Sequence, residues 1–203
     1  MNEKLEALRD RLQRLGYTAE VFSSREEAAA HINEETDGTT VGIGGCVTAA
    51  EMGLYESLSS HNKVFSHWHI PEGKTDRNMR DLAAGTEVYI TSANAVSQNG
   101  EIVNIDYTGN RVASVFYGHK KVIFVIGRNK IAPDFEQALW RARNIASPKN
   151  ARRLGRRTPC AVSADRCYNC SSPERICNGL QVLWHSMAGS EMEVCLIDED
   201  LGY

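Results

Sequence analysis

From Leu5 to Ile126 the chain alternates amphipathic helical stretches with short β-rich runs, and this alternation constrains the fold more than any other feature. Leu5, Leu8, Leu12 and Leu15 form one helical stripe over residues 3–15, and Gly16 supplies the stop. Residues 17–22 alternate as a strand. Ser24 to Glu27 has the pattern of a capping box and opens a helix to about Glu35. Residues 39–43 form a β-rich run, and a second capping-box pattern, Thr48 to Glu51, opens a helix through Leu58. A strand over 63–68, a helix over 75–84 stopped by Gly85, and buried strands over 87–92 and 120–126 complete the series. Strands that alternate with helices predict an α/β protein with a parallel sheet.

Between the last two of those strands the pattern changes. Asn99-Gly100 is a strong hairpin signal, and residues 101–106 alternate, with Ile102, Asn104 and Asp106 on one side. The apolar run 112–117 is expected to be a further strand. Pro133-Asp134 starts a helix whose apolar face is Phe135, Ala138, Leu139, Ala142 and Ile145, and Ser147-Pro148 is expected to end it. Lys149, Arg152, Arg153, Arg156 and Arg157 then make a basic linker, and 180–187 and 192–197 read as two closing strands. A chain of 203 residues with this continuity predicts one domain over 1–203, with 148–179 inserted before the closing strands. The net charge of -3 gives no polyanion-binding field, so no nucleic-acid partner is expected despite the basic linker. No apolar run is long enough for a membrane span, and the N-terminus has no signal-peptide core, so a cytoplasmic location is expected.

Three stretches carry candidate chemistry. The first is the loop Gly42-Ile43-Gly44-Gly45-Cys46 between a strand and a helix that includes Thr48 and Glu51. Glycines at a helix start let backbone N–H groups approach an anion, although a plain tight turn uses them equally well. Cys46 reads as a buried small residue or as a thiol activated by the helix start. The second is the polar stretch with Asn94, Asn104, Asp106, Asn110 and Arg111, denser than turns alone require. Glu51 or Asp106 is its candidate acid/base and Arg111 its anion partner, against the alternative that Asp106 simply pairs with Arg111. His67 and His69 read as an incidental pair. The third is the cysteine loop: Cys160, Cys167, Cys170 and Cys177 stand apart by six, two and six residues. Four thiolates on one loop can ligate a metal or an iron–sulfur cluster; a disulfide pair or buried free thiols are the alternatives. The loop is expected to fold over the mouth of the pocket with Arg152 or Arg156 lining it, or else to be a remote staple.

Taken together, the Gly42–Glu51 run, Asn94-Ala-Val, Asn99-Gly100-Glu101-Ile-Val-Asn104-Ile-Asp106, Gly109-Asn110-Arg111-Val-Ala, the segment from Gly127 to Ile131 and the Cys160–Cys177 loop resemble the LUD-domain (lactate-utilisation, DUF162-type) family. The resemblance covers essentially the whole chain. It implies a three-layer α/β/α fold with a mostly parallel sheet, of the sugar-phosphate isomerase and CoA-transferase type, plus a small antiparallel lobe. In such relatives the loop equivalent to 42–48 faces a phosphate or CoA-like ligand. The chain departs from the family at Cys46, where Ser is common, and at Tyr107, where Gly is common. The resemblance implies a metal-binding component of L-lactate oxidation, with a [4Fe–4S] cluster favoured over zinc. It also implies a small anionic substrate and iron–sulfur partner proteins, with a homo-oligomer left open. The alternatives are an isomerase- or transferase-like enzyme with a structural zinc, and a scaffold subunit without catalysis.

Overall fold

The computed structural model describes residues 2–163 and 165–203; Met1, and Ala164 of the expected cysteine loop, lie outside the described residues. Six strands form a parallel sheet: β1 (Thr18–Phe22), β2 (Thr40–Ile43), β3 (Lys63–Ser66), β4 (Val88–Thr91), β7 (Lys121–Gly127) and β10 (Glu191–Ile197), in the order β1-β10-β7-β4-β2-β3. The central strand β7 shows why the sheet is buried on both sides. Val122, Phe124 and Ile126 enter one apolar core, and Ile123 and Val125 enter the other. Period-two alternation of apolar residues on both faces demands a helical cover on each.

The first core takes the leucine stripe of α1 (Glu3–Arg14) with Ala83 of α5 (Asp76–Ala84) and Val115 of α6 (Asn110–Phe116). The second takes Ala28 and Ile32 of α2 (Arg25–Glu35), Ala49 of α3 (Val47–Glu51), and Leu54 and Leu58 of α4 (Leu54–Ser59). This is the expected three-layer α/β/α arrangement.

The small lobe is a second sheet of β5 (Ala95–Ser97), β6 (Ile102–Asp106), β8 (Ile131–Ala132) and β9 (Gly179–Leu183), in the order β8-β5-β6-β9. It is mixed rather than purely antiparallel, because β5 pairs with β8 in parallel. The Asn99-Gly100 hairpin joins β5 to β6, and Gly100 takes φ +97° against the α1 leucines. The helix α7 (Phe135–Arg141) packs Ala138, with Phe135 and Leu139, on this sheet.

Three local expectations are corrected. Residues 112–117 lie mostly in α6, not in a strand: Gly109 turns the chain at φ +89°, and the Asp106 carboxylate accepts from Val112 N at 3.2 Å, fixing the first turn. Ser147-Pro148 does not end a helix. A π-turn over Ala142–Ala146 carries α7 straight into α8 (Ser147–Arg153), so most of the supposed basic linker is helical. The wider turn displaces the carbonyl that a proline ring would otherwise strike, and the Ser147 hydroxyl donates to Ala142 O at 2.8 Å. Thr48 and Glu51 form no capping box: Cys46 is the N-cap of α3, its sulfur accepting from Ala49 N at 3.3 Å.

Candidate functional site

The sheet order places β2 between β3 and β4, so the connection leaving β2 runs one way and the connection leaving β4 runs the other. Such a reversal opens a crevice beyond the carboxyl ends of the strands. A cavity of about 440 Å³ lies there. Gly45 and Cys46 follow β2, His67 and Trp68 follow β3, Ser92 to Asn94 follow β4, and Lys130 follows β7. The β6–α6 turn, α8 and Tyr203 close the other side. The expected opposition of the glycine loop and the polar stretch 94–111 is therefore present.

The two faces contribute unequally. Gly44 is already in the sheet ladder, donating to Ile90 O at 3.0 Å, and Gly42 is packed where a Cβ would lie 2.5 Å from Ala83 O. Their glycines serve close packing and do not line the cavity. Gly45 does line it, and a Cβ there would sit 3.1 Å from His67 Nε2. Cys46 is buried, and burial pushes its thiol up over the opposing pull of Lys130, so it is a neutral thiol rather than an activated one. Thr48 is fully buried beneath the cavity. Glu51 is outside, accepting from Gly202 N at 2.7 Å.

Arg111 is the best-organised group. Its side chain is 14% exposed; Nη1 donates to Asn104 Oδ1 at 3.1 Å and Nη2 to Ile105 O at 2.6 Å. Asn94 and Asn104 form the frame: Asn94 Oδ1 accepts from Ile105 N at 2.6 Å, and Asn94 N donates to Asn104 Oδ1 at 3.1 Å. Asp106 stands 3.7 Å from Arg111, but its two oxygens accept from Tyr107 N at 2.7 Å and Val112 N at 3.2 Å. The carboxylate is spent on the turn and compensates Arg111 only in part. Asn110 accepts from Arg80 Nη1 at 2.9 Å, and Arg80 also pairs with Asp76.

Sequence reasoning missed Arg80, Lys130, Arg153, Trp68, Ser92 and Tyr203 as lining residues, and it set His67 aside. His67 and His69 do not share a face: β3 ends at Ser66, and His69 turns away to stack on Tyr55 while His67 enters the cavity. Burial, with Arg80 adding to it, lowers the His67 pKa, so the ring is neutral near pH 7, and its buried Nδ1 has no partner. Arg153 lies over the Trp68 ring at 4.8 Å. Neither Arg152 nor Arg156 lines the cavity; Arg156 instead stacks on Tyr107 at 5.4 Å. Four cationic side chains face two carboxylates, so the cavity suits an anion.

The cysteine loop reaches this site. Ile176 lines the cavity, and Cys167 and Cys177 line a neighbouring one of about 310 Å³ that shares Ile105 and Ser147 as its wall. N–H groups point at the sulfurs: Arg175 Nε at 3.1 Å from Cys177 Sγ, and Asn169 N at 3.3 Å from Cys167 Sγ. Asn169 adopts φ +48° to make that turn between Cys167 and Cys170. Such N–H donors are the outer shell that ligating thiolates use. Among the described residues no three of these sulfurs lie within 4.8 Å of one another; the group that does is His31, Glu193 and Cys195. A single zinc with sulfur at about 2.3 Å would need the sulfurs at roughly 4 Å. Four thiols with N–H donors beside two of them are a donor set of the kind an iron–sulfur cluster takes.

An α/β protein with a crevice rich in cationic side chains at the switch point of its parallel sheet is the class that fold and site define. The LUD domain family model matches residues 5–197, and the chain belongs to that family, which is associated with lactate utilisation. It is similar in structure to a DUF162 family protein from Deinococcus radiodurans, at 13% identity over 96% of each chain with a TM-score of 0.54. A weaker likeness, with a TM-score of 0.35 and 18% identity, links 55% of the chain to 54% of ribose 5 phosphate isomerase A from Neisseria gonorrhoeae. No curated protein sequence matches the chain. No helix among the described residues is long and apolar enough to cross a membrane.

Proposed function

We propose that the chain binds a small organic acid, of the size and charge of L-lactate, in the crevice between β2 and β4, as a component of organic-acid oxidation. The observation that supports this reading is Arg111. It is a largely buried guanidinium fixed by neutral oxygens, whose nearby carboxylate is occupied by backbone amides. A planar guanidinium held in that way is pre-set for a carboxylate. Arg80 and Arg153 add positive charge at the walls, and Trp68 and Tyr107 supply apolar surface. Calorimetric titration with L-lactate tests the reading. One site per chain is expected, with affinity falling about 10- to 100-fold in Arg111→Met, as for loss of a hydrogen bond to a charged group. Equal binding by the variant would refute the assignment.

The N–H donors around Cys167 and Cys177 favour a second element of the same reading. Cys160, Cys167, Cys170 and Cys177 would hold an iron–sulfur cluster, a group that supplies one-electron transfer when bound. Its place beside the Ile105 and Ser147 wall would put it next to the acid. The chain's own residues bind and orient the acid, and Ile176 and Tyr203 keep water from it.

A further inference from the structure

Lys130 is a buried cation of the pocket that the acid-binding role does not use. It is 4% exposed, yet lines the cavity. Its Nζ donates to Thr48 Oγ1 at 2.8 Å and to Ser92 Oγ at 2.9 Å, and among the described residues no carboxylate pairs with it. Gly202, at φ +62°, closes over it: a Cβ there would lie 3.0 Å from Nζ. An ammonium in this position is desolvated and has hydroxyl partners alone, which favours the neutral, nucleophilic amine. Burial dominates and brings the lysine down to about 8 from 10.5; Arg141 and Arg111 add to that shift and Glu51 opposes it.

We infer that Lys130 captures the carbonyl group of a short oxo acid as an imine, with the Ser92 hydroxyl as proton carrier. The inference rests on the acid-binding reading, because Arg111 must hold the carboxylate in the same cavity for the carbonyl to meet the amine. The nitrogen lone pair forms the N–C bond while the carbonyl π pair moves to oxygen. That oxygen takes a proton from Ser92, which regains one from the nitrogen. The proton that the ammonium gave up to solvent before the attack returns through the same hydroxyl, the oxygen leaves as water, and the nitrogen lone pair makes the N–C bond double. One ammonium and one ketone thus give one protonated imine and one water, with no oxidant or reductant. Desolvated lysines are suited to this chemistry.

The 203-residue chain is incubated with pyruvate and sodium cyanoborohydride, and intact mass and a peptide map are read. One reduced adduct on Lys130 is expected, lost at least tenfold in Lys130→Arg and formed about tenfold more slowly in Ser92→Ala. Its rate should climb with pH and level off near 8, whereas capture by an exposed lysine keeps climbing towards 10.5. If Lys130→Arg does not fold, the wild-type map and the Ser92→Ala rate decide. Adducts confined to surface lysines such as Lys120 and Lys149 overturn the inference. A parallel calorimetric titration separates the two claims. Pyruvate bound without an adduct overturns the imine and leaves the acid pocket standing; neither binding nor adduct overturns both.

Discussion

Lys130 makes a thermodynamic statement as well as a chemical one. Its folded value of about 8 lies below the 10.5 of an ordinary lysine. Below pH 8 both folded and unfolded chains hold the proton, and the burial penalty is fully present. Between about 8 and 10.5 the unfolded chain binds more protons, so stability rises with pH across that window. Lys130→Met should therefore be more stable than the parent at pH 7, by about 1–3 kcal/mol, with the gap closing towards pH 10.5. Urea melts at several pH values measure it. Glu193 has the opposite sign. Burial pushes it up, but Lys121 at 2.8 Å and His31 at 2.7 Å outweigh burial and leave it lowered. Its contribution is present above the usual carboxylate range and is lost as pH falls through its folded value. Lys121→Met should cost about 2–3 kcal/mol at pH 7, less than for a fully isolated buried charge because His31 remains, and much less in acid. Among the site residues, Arg111 and Asn94 were legible as polar groups too dense for turns. Lys130 was not, because a single lysine after a strand carries no signal until burial around it is known.

Elements were legible where local pattern and tertiary demand agree. The leucine stripe of α1, the strand β7 and the Asn99-Gly100 hairpin all stand where periodicity and turn chemistry put them. Gly100→Ala should cost about 2–3 kcal/mol in a denaturant melt, since a Cβ there would run into Leu15 Cδ1 with φ at +97°. Reading failed where tertiary contacts overrode propensity. Val112 and Val115 favour a strand, but the Asp106 carboxylate holds Val112 N and starts a helix. Pro148 signals a stop, but the π-turn before it lets the helix pass. Continuing that helix brings Asn150 and Arg153 to the cavity. The cysteine loop has its own test. Anaerobically purified protein should contain iron and sulfide, and Cys167→Ser or Cys170→Ser should lose most of it, because in the proposed site these two would form the chelating bite. Folded protein without iron, whether it holds zinc or no metal, would contradict the cluster assignment.

At the scale of the whole molecule, the site depends on topology. Residues 45, 67 and 92 meet because β2 lies between β3 and β4, and residues 111, 130, 153 and 203 join them from the second half of the chain. The strand–helix alternation made the parallel sheet predictable, and with it a crevice at the strand ends. Which side chains fill that crevice was not, since strand order is set by packing between distant segments. The small mixed sheet and α8 then roof the crevice from the second half of the chain. The central claim is that this crevice seats a short organic acid by its carboxylate. Electron density from crystals grown with pyruvate tests it most directly. The account predicts the carboxylate within about 3 Å of the Arg111 guanidinium and the carbonyl carbon bonded to Lys130 Nζ or within about 3.5 Å of it. An acid seated elsewhere, for instance between Arg143 and Arg175, with the crevice holding only solvent, would contradict it.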